Sequence, residues 1–360
     1  MMKIVISGLG VMGASMARAL KQRLSNLTII GYDLPEIMDM AMQKNIIDRK
    51  ITAWPDECAD ADIIVLATPL HIIKKQLDQL ADVVSPETVV TDMGSTKSEL
   101  EKFVRKLNFN GIYIGGHPMT GTEKTGLTAS NPLLYENAVY VLTGITSLET
   151  PVLKQKLLPV LEALKARVLI IDSETHDQIM AAISHVPQLL AIALVNLVGR
   201  KNEQGSPYFE LAAGGFRDLT RIASSSINIW QDIVNSNQSN IKSVLDELIA
   251  LIRSEKDQLG SLYEAFNSAN MYRHEIPNVN KGFLSPLTEV FVYVNDELGV
   301  VSKISNALYE KNIDIRDIEL LKIREKEGGV FRLSFSTFRE AKDAVRIMKS
   351  INYDAYIRES

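Results

Sequence analysis

Cysteine is almost absent from this chain of 360 residues, because Cys58 is its single example. An intrachain disulfide is therefore excluded, which is typical of a protein that works in the reducing cytoplasm. A metal site built from cysteine and histidine is not expected either. The five histidines are scattered along the chain, at positions 71, 117, 176, 185 and 274.

Long apolar runs and a large excess of one charge are also missing. No run of about eighteen apolar residues occurs, so we expect no membrane span. Glycines and the charges of Arg18 and Lys21 interrupt the apolar N-terminus, which argues against a signal peptide. The formal net charge of −5 predicts no nucleic-acid partner. With 46% hydrophobic residues, the composition is that of a soluble globular protein with room for two or three domains.

A glycine-rich motif near the N-terminus stands in the context that dinucleotide binding requires. An apolar run at 3–7 is followed by Gly8-Leu9-Gly10-Val11-Met12-Gly13, a helical pattern to about Leu24, a strand at 28–32 and then Asp33. The first glycine makes a tight turn, the second lets the backbone approach a pyrophosphate, and the third lets helix and strand pack closely. The amides at the start of the helix can then bind the phosphates.

Asp33 indicates which dinucleotide is bound. A carboxylate at this position accepts hydrogen bonds from the ribose 2′-hydroxyl and repels a 2′-phosphate. No lysine or arginine occurs from Leu34 to Gln43, whereas Glu36 and Asp39 add negative charge. We therefore predict NAD rather than NADP.

Further apolar runs continue the alternation of strands and helices. They lie at 62–67, 88–92, 112–114, 138–142 and 168–171, with helical patterns between them. In open α/β sheets ligands bind beyond the carboxyl ends of the strands. This rule brings Thr68, Pro69 and Ser95 to the cofactor site, together with the segment around His117. Ser95 could instead cap the helix that follows it.

The segment 115–126 has the sequence GGHPMTGTEKTG, which predicts a glycine-rich loop after the strand at 112–114. Pro118 biases His117 toward an extended backbone, so the imidazole is presented in a defined geometry. A neutral imidazole there accepts a proton near neutral pH. The alternative is a surface loop with an incidental histidine.

Residues 173–285 show helical periodicity without strands. Pro187 lies inside the first helix and predicts an interruption, with His185 beside it as a core residue or a site residue. In the segment 214–221, Arg221 suits a substrate carboxylate, or forms an ion pair with Asp218 at helical spacing. A long helix is predicted over 238–269, and its apolar stripe serves a dimer interface or an intrachain core.

The chain resembles the bacterial prephenate dehydrogenases of tyrosine biosynthesis, in the form that carries a C-terminal ACT domain. The resemblance rests on the segments 115–126, 92–97 and 214–230. It implies an α/β Rossmann-type dinucleotide-binding domain over 1–172, an all-α substrate and dimerisation domain over 173–285, and a small ferredoxin-like α+β (ACT) domain over 287–360. The last agrees with the strand and helix order βαββαβ read after a linker at 282–286.

The resemblance also implies roles for single residues. His117 accepts the proton of the substrate's ring hydroxyl, Ser95 hydrogen-bonds that hydroxyl or His117, and Arg221 holds a prephenate carboxylate. The other substrate-binding positions implied are Gly121, Thr122, Glu123, His185, Gln188, Asp218 and Trp230. Gln188 departs from the family, which often has a histidine there, so a titrating group is lost at this position.

The implied reaction is the NAD-dependent oxidative decarboxylation of prephenate to 4-hydroxyphenylpyruvate by a cytoplasmic homodimer. Feedback by L-tyrosine would act on the ACT domain at Asp296, Leu298 and Gly299. Leu298 replaces a common proline, so the domain could be a dimerising module only. Two further alternatives are an arogenate dehydrogenase and a non-catalytic regulator that senses NAD and an amino acid.

Overall fold

The computed structural model describes residues 1–122, 124–146, 150–276, 287–295, 297–324 and 328–357. The chain divides into two compact units, Met1–Leu262 and Tyr263–Ser360. The predicted linker at 282–286 lies outside the described residues.

The first unit begins with an eight-stranded sheet. Its strands are β1 (Met2–Ser7), β2 (Leu27–Tyr32), β3 (Arg49–Lys50), β4 (Ile63–Leu66), β5 (Val89–Asp92), β6 (Ile112–Pro118), β7 (Val139–Thr143) and β8 (Arg167–Ile170). Their order in the sheet is β3-β2-β1-β4-β5-β6-β7-β8. All neighbours are parallel except β6 and β7, which are antiparallel. The predicted Rossmann-type architecture is confirmed, and the two-residue β3 is an addition to it.

Helices cover both faces of this sheet. They are α1 (Val11–Arg23), α2 (Pro35–Gln43), α3 (Leu70–Leu80), α4 (Ser98–Val104) and α5 (Pro151–Leu164). In β1, Ile4 and Ile6 belong to one hydrophobic core and Val5 belongs to a second core on the opposite face. Burial of both faces explains why these strands are continuous apolar runs.

The strand β6 is longer than its sequence predicts. The glycine-rich loop was expected to begin at Gly115, but residues 115–118 pair with Tyr140–Thr143 of β7 and extend the strand to Pro118. A Cβ atom on Gly116 would lie 2.4 Å from the carbonyl oxygen of Asp92. The glycine therefore makes room for a neighbouring strand, and His117 lies on a strand rather than in a loop.

The rest of the first unit is helical. Its elements are α6 (Ser173–Met180), a π turn (Ala181–His185), α7 (Val186–Glu203), α8 (Gly214–Thr220), a 3₁₀ turn (Arg221–Ser224), α9 (Ile227–Ser236) and α10 (Gln238–Asp257). The interruption predicted at Pro187 is present as the π turn that ends just before it. The single helix predicted over 238–269 is wrong, because α10 ends at Asp257 and the segment around Gly260 separates it from the next helix.

Among the described residues, the helical stretch Ser173–Glu203 is long and apolar enough to cross a membrane, judged by length and composition alone. It also carries buried polar residues, and these are satisfied within the fold. The Asp177 carboxylate accepts two backbone amides, and the Gln188 amide donates to the carbonyl of Ile222. Such contacts show that part of this stretch packs against neighbouring elements of the fold.

The second unit contains α11 (Tyr263–Glu275), β9 (Thr288–Val294), α12 (Val300–Tyr309), β10 (Asp317–Arg324), β11 (Gly328–Phe335), α13 (Phe338–Ser350) and β12 (Asp354–Ile357). The four strands form one antiparallel sheet in the order β10-β11-β9-β12. Strands and helices alternate as βαββαβ from β9 onward, which confirms the predicted ferredoxin-like fold.

Candidate active site

The glycine motif between β1 and α1 is shaped for a dinucleotide. Gly8 has φ +92°, and a Cβ atom there would lie 2.5 Å from the carbonyl oxygen of Ala67. A Cβ atom on Gly13 would lie 1.9 Å from the carbonyl oxygen of Gly8. Within the part of the chain that the structure describes, Gly10 by contrast has no heavy atom within 4 Å of its Cβ position, and no side chain caps α1. The first-turn amides of α1 are thus available to phosphate oxygens.

Asp33 is fixed beside this motif at the end of β2. Its Oδ2 accepts the amide of Leu9 at 2.6 Å, and its Oδ1 accepts the amide of Leu34 at 2.7 Å. The carboxylate keeps further lone pairs for ribose hydroxyls. At the end of β4, Thr68 donates from its hydroxyl to Gln76 at 3.0 Å, and Pro69 precedes the first residue of α3. These residues fit the NAD site predicted from the sequence.

A fully buried ion pair lies at the end of β5. The Lys97 ammonium pairs with Asp92 and donates to the carbonyl of Gly116 at 2.7 Å. The Asp92 carboxylate also accepts the Tyr113 hydroxyl at 2.8 Å and the Gly94 amide at 2.6 Å. Each buried charge therefore has hydrogen-bonding partners, as burial demands. The network ties the end of β5 to the part of β6 that bears His117.

His117 is half-buried at the end of β6, next to a second histidine. Its Nδ1 lies 2.8 Å from Nε2 of His176, and Nδ1 of His176 lies 2.8 Å from Oδ1 of Asp177. Burial, followed by the positive charge of Lys97, holds the pKa of His117 well below its usual value of 6.5. The imidazole is therefore neutral at pH 7, as a general base must be.

Ser95 lies half-buried in the loop between β5 and α4. The alternative that it caps the following helix is wrong, because α4 begins at Ser98 and is capped from another element. Asp177 of α6 accepts the amide of Lys97 at 2.8 Å and the amide of Ser98 at 2.9 Å. This arrangement keeps Ser95 available as a site residue.

Family models match both parts of the first unit. The nucleotide-binding domain of prephenate dehydrogenase matches residues 16–170, and the prephenate dehydrogenase dimerization domain matches residues 172–262. The chain is 32% identical to the prephenate dehydrogenase of Bacillus subtilis over 355 residues, which are 96% of this chain and 95% of that protein. The chain belongs to the prephenate dehydrogenase family.

Solved structures agree with this family. Prephenate dehydrogenase from A. aeolicus, crystallised with hydroxyphenyl propionate and NAD+, shares 30% identity at a TM-score of 0.67, over 77% of this chain and 99% of that one. Arogenate dehydrogenase from Synechocystis shares 29% identity at a TM-score of 0.63, over 77% of this chain and 100% of that one. The prediction of an NAD-dependent dehydrogenase is confirmed, and the alternative of a non-catalytic regulator is not favoured.

His185 is the last residue of the π turn that precedes α7. Its side chain is fully buried, with Nδ1 3.1 Å from the amide nitrogen of Asn237 and the ring edge-on to Trp230 at 6.0 Å between ring centres. Burial lowers the pKa of His185 to about 4. His185 is therefore neutral at pH 7 and packed like a core residue. A direct contact with substrate stays a prediction for both His185 and Trp230.

Gln188 and Arg221 are linked through the backbone. The buried Gln188 amide donates to the carbonyl of Ile222 at 2.9 Å, which holds the 3₁₀ turn bearing Arg221 against α7. Gln188, which stands where the family often has a histidine, thus has a structural role. Arg221 and Asp218 are both exposed, one in the 3₁₀ turn and the other in α8. Their roles toward a substrate stay predictions.

The remaining positions predicted from the sequence make none of the contacts described above for His117, His185 or Gln188 among the described residues. Gly121 and Thr122 are exposed after β6, and the Thr122 hydroxyl accepts the amide of Lys124 at 3.2 Å. Glu123 and Asp296 lie outside the described residues. In the second unit, Gly299 has φ +86° before α12, and Leu298 is fully exposed. Both line a groove of about 510 Å³ together with Val301, Leu320 and Phe331.

The sequence did not identify His176 and Asp177 as site residues. The signal available was a histidine–aspartate pair at the polar start of an otherwise apolar helical stretch. Asp92 and Lys97 lie in a segment that resembles the family, but their mutual contact was not predicted. All four residues are buried, and together they hold His117 and the loop of Ser95.

Proposed function

We propose that this enzyme catalyses the NAD-dependent oxidative decarboxylation of prephenate to 4-hydroxyphenylpyruvate in tyrosine biosynthesis. One observation supports it most strongly. A neutral imidazole, His117, lies at the end of β6, in the same sheet as the strands β1, β2 and β4 that precede the proposed NAD-binding residues, in a chain of this family.

Bound NAD supplies the acceptor for the hydride that leaves the carbinol carbon of the substrate ring. His117 takes the hydroxyl proton on Nε2, the ring nitrogen that His176 does not occupy. Ser95 hydrogen-bonds the same hydroxyl or His117 and orients it. The ring ketone formed in this way accepts the electron pair released when the ring carboxylate leaves as CO2. Aromaticity is restored, and the phenolate oxygen then takes a proton. General-base assistance of this kind accelerates a reaction by about 10²–10⁴-fold.

Arg221 binds a carboxylate of prephenate, because its planar guanidinium matches the two carboxylate oxygens. The rest of the substrate pocket is assigned to seven residues by their match to the family: Gly121, Thr122, Glu123, His185, Gln188, Asp218 and Trp230. Gln188 acts there by donating to the backbone carbonyl of Ile222, the residue that follows Arg221.

The active form is proposed to be a cytoplasmic homodimer that associates through the helical domain, 173–285. Ile241, Val244 and Leu248 of α10 pack in the core of this domain. Leu251 and Ile252 of the same helix are exposed, as is Leu197 of α7. A second copy would remove these side chains from water.

Arogenate is the second candidate substrate, since an arogenate dehydrogenase is among the similar structures. We favour prephenate because the curated relative from B. subtilis, matched over nearly its whole length, is a prephenate dehydrogenase. The ACT-type domain, 287–360, is proposed to bind L-tyrosine as a feedback inhibitor near Asp296, Leu298 and Gly299.

One series of measurements of NADH formation by the purified enzyme tests both the substrate and the inhibition by L-tyrosine. Prephenate or arogenate is offered with NAD, and each reaction is repeated with L-tyrosine. We expect turnover with prephenate that L-tyrosine lowers. Turnover with arogenate alone would favour the second substrate, and no turnover with either would contradict the proposed function.

A further inference from the structure

His117 contacts a second histidine, and that histidine contacts a carboxylate. We propose that His176 and Asp177 are positioning residues, which fix the tautomer of His117 so that Nδ1 carries the proton and Nε2 is bare. The inference rests on the proposed function for its kinetic consequence, but the tautomer itself is a property of the free enzyme.

We call the hydrogen-bonded chain Asp177–His176–His117 the relay. Asp177, whose side chain is 1% exposed, determines which atom donates in each of its hydrogen bonds. Its Oδ1 accepts the amide of Lys97 at 2.8 Å, and its Oδ2 accepts the amide of Ser98 at 2.9 Å. Backbone amides can only donate, so both oxygens must act as acceptors. Nδ1 of His176, at 2.8 Å from Oδ1, is then the donor in that contact.

The ionised state of Asp177 supports this assignment. Burial acts to raise the pKa of its carboxyl, but the hydrogen bonds from His176, Lys97 and Ser98 outweigh burial, and the pKa lies below its usual value. An ionised carboxylate has no proton to offer His176.

The second link follows from the first. The proposal includes a His176 that carries a single proton, on Nδ1, which leaves a lone pair on Nε2. That lone pair lies 2.8 Å from Nδ1 of His117. His117 therefore donates from Nδ1 and keeps its own lone pair on Nε2, where a substrate hydroxyl can be deprotonated.

Asp177 also holds the elements around the base in place. By capping α4 it fixes the end of the loop that bears Ser95, and its backbone carbonyl accepts the amide of Asn237 at 2.7 Å. The same side chain thus anchors both the tautomer of His117 and the serine loop. A base in the wrong tautomer presents a proton to the substrate where it should present a lone pair, which removes general-base catalysis.

Nitrogen-15 NMR of the free enzyme tests the tautomer without any substrate. Protonated and bare imidazole nitrogens differ widely in chemical shift, and the signals of His117 are assigned by their loss in His117→Asn. We expect a protonated Nδ1 and a bare Nε2 on His117 near neutral pH. A protonated Nε2, or an averaged pair of signals, would overturn the proposal.

The kinetic test uses His176→Phe, which keeps an aromatic ring but breaks both links of the relay. We expect kcat to fall about 10–1,000-fold, with the KM for prephenate and the Kd for NAD within about twofold. The matched control is His71→Phe, which removes an exposed histidine–aspartate pair, His71–Asp232 at 2.6 Å, without a link to His117. This control should keep kcat within about twofold of wild type.

An unchanged kcat in His176→Phe, or an equal loss in His71→Phe, would overturn the positioning role. If His176→Phe does not fold, the NMR measurement on the wild-type enzyme still decides the tautomer. Failure of the proposed function can be told apart from failure of the positioning role. In the first case the wild-type enzyme forms no NADH from prephenate, whatever the NMR result for His117.

Discussion

At the scale of residues, the active site depends on an imidazole that stays neutral in a charged surrounding. Burial and the Lys97 ammonium both disfavour a proton on His117. The same ammonium holds the carbonyl of Gly116, the residue before the base. One buried lysine therefore contributes both to the neutral state of His117 and to its position.

The pH dependence of turnover follows from this environment. The base is active when neutral, so activity is lost as the pH falls through the lowered pKa of His117. We expect kcat/KM for prephenate to stay level as the pH falls from about 8 to the ordinary imidazole value of about 6.5, and to drop only below it. A half-maximal value at or above pH 6.5 in the steady-state profile would contradict a depressed pKa.

Arg221 is expected to act on binding rather than on the chemical step. Arg221→Ala should raise the KM for prephenate about 10–100-fold with a smaller change in kcat, because charge-assisted hydrogen bonds to a carboxylate are lost. Arg200→Ala, at the end of α7, serves as a control that removes an exposed arginine elsewhere. An unchanged KM in Arg221→Ala would favour the ion pair with Asp218 instead.

Site residues can be predicted from the sequence when their role depends on the pattern of neighbouring residues. Asp33 and the motif Gly8–Gly13 are recognisable because strand, turn and helix surround them in a fixed order. His176 is different, since its contact with His117 spans 59 residues and exists only when α6 packs beside β6. Likewise, Asp177 caps α4 from another helix, so the nearby Ser95 was considered as the cap.

At the scale of elements, strand β6 shows how neighbouring strands decide local structure. Its glycines suggest a loop, yet the antiparallel strand β7 pairs with them and keeps the chain extended to Pro118. Buried parallel strands such as β4 were predictable from their apolar runs. The two-residue β3 and the break around Gly260 carry too little pattern to be found this way.

Substitution of Gly116 tests the tight packing of β6. Gly116→Ala places a Cβ atom 2.4 Å from the carbonyl oxygen of Asp92, where neither backbone can move freely. We expect a loss of about 1–3 kcal/mol in the free energy of unfolding, measured by urea denaturation. Gly121→Ala, with no heavy atom of the described residues within 4 Å of the new Cβ, should change it by less than about 0.5 kcal/mol. Equal effects in both variants would rule out this packing argument.

At the scale of the whole molecule, stability should depend on pH through buried neutral histidines. The pKa of His185 is about 4 in the folded chain, against the ordinary histidine value of 6.5. Between these values the unfolded chain binds a proton that the folded chain does not. The stabilisation is therefore complete above pH 6.5 and is lost as the pH falls toward 4, by about 1.4 kcal/mol per pH unit.

His185→Gln isolates this contribution, since glutamine does not titrate and can still accept from Asn237. The free energy of unfolding is measured by urea denaturation at about pH 7, 6 and 5, at one protein concentration. We expect a shallower dependence on pH in the variant than in wild type. An equal change in the free energy of unfolding with pH in both proteins would show that His185 does not cause the pH dependence.

The proposed reaction depends on His117 acting as the base of an NAD-dependent oxidation. His117→Asn keeps a polar side chain of smaller size but removes the titrating nitrogen. The decisive measurement is kcat for NADH formation from prephenate, with the Kd for NAD measured on the same preparation. We expect kcat to fall by at least about 100-fold with the Kd for NAD unchanged. Near-normal turnover in His117→Asn would contradict the account.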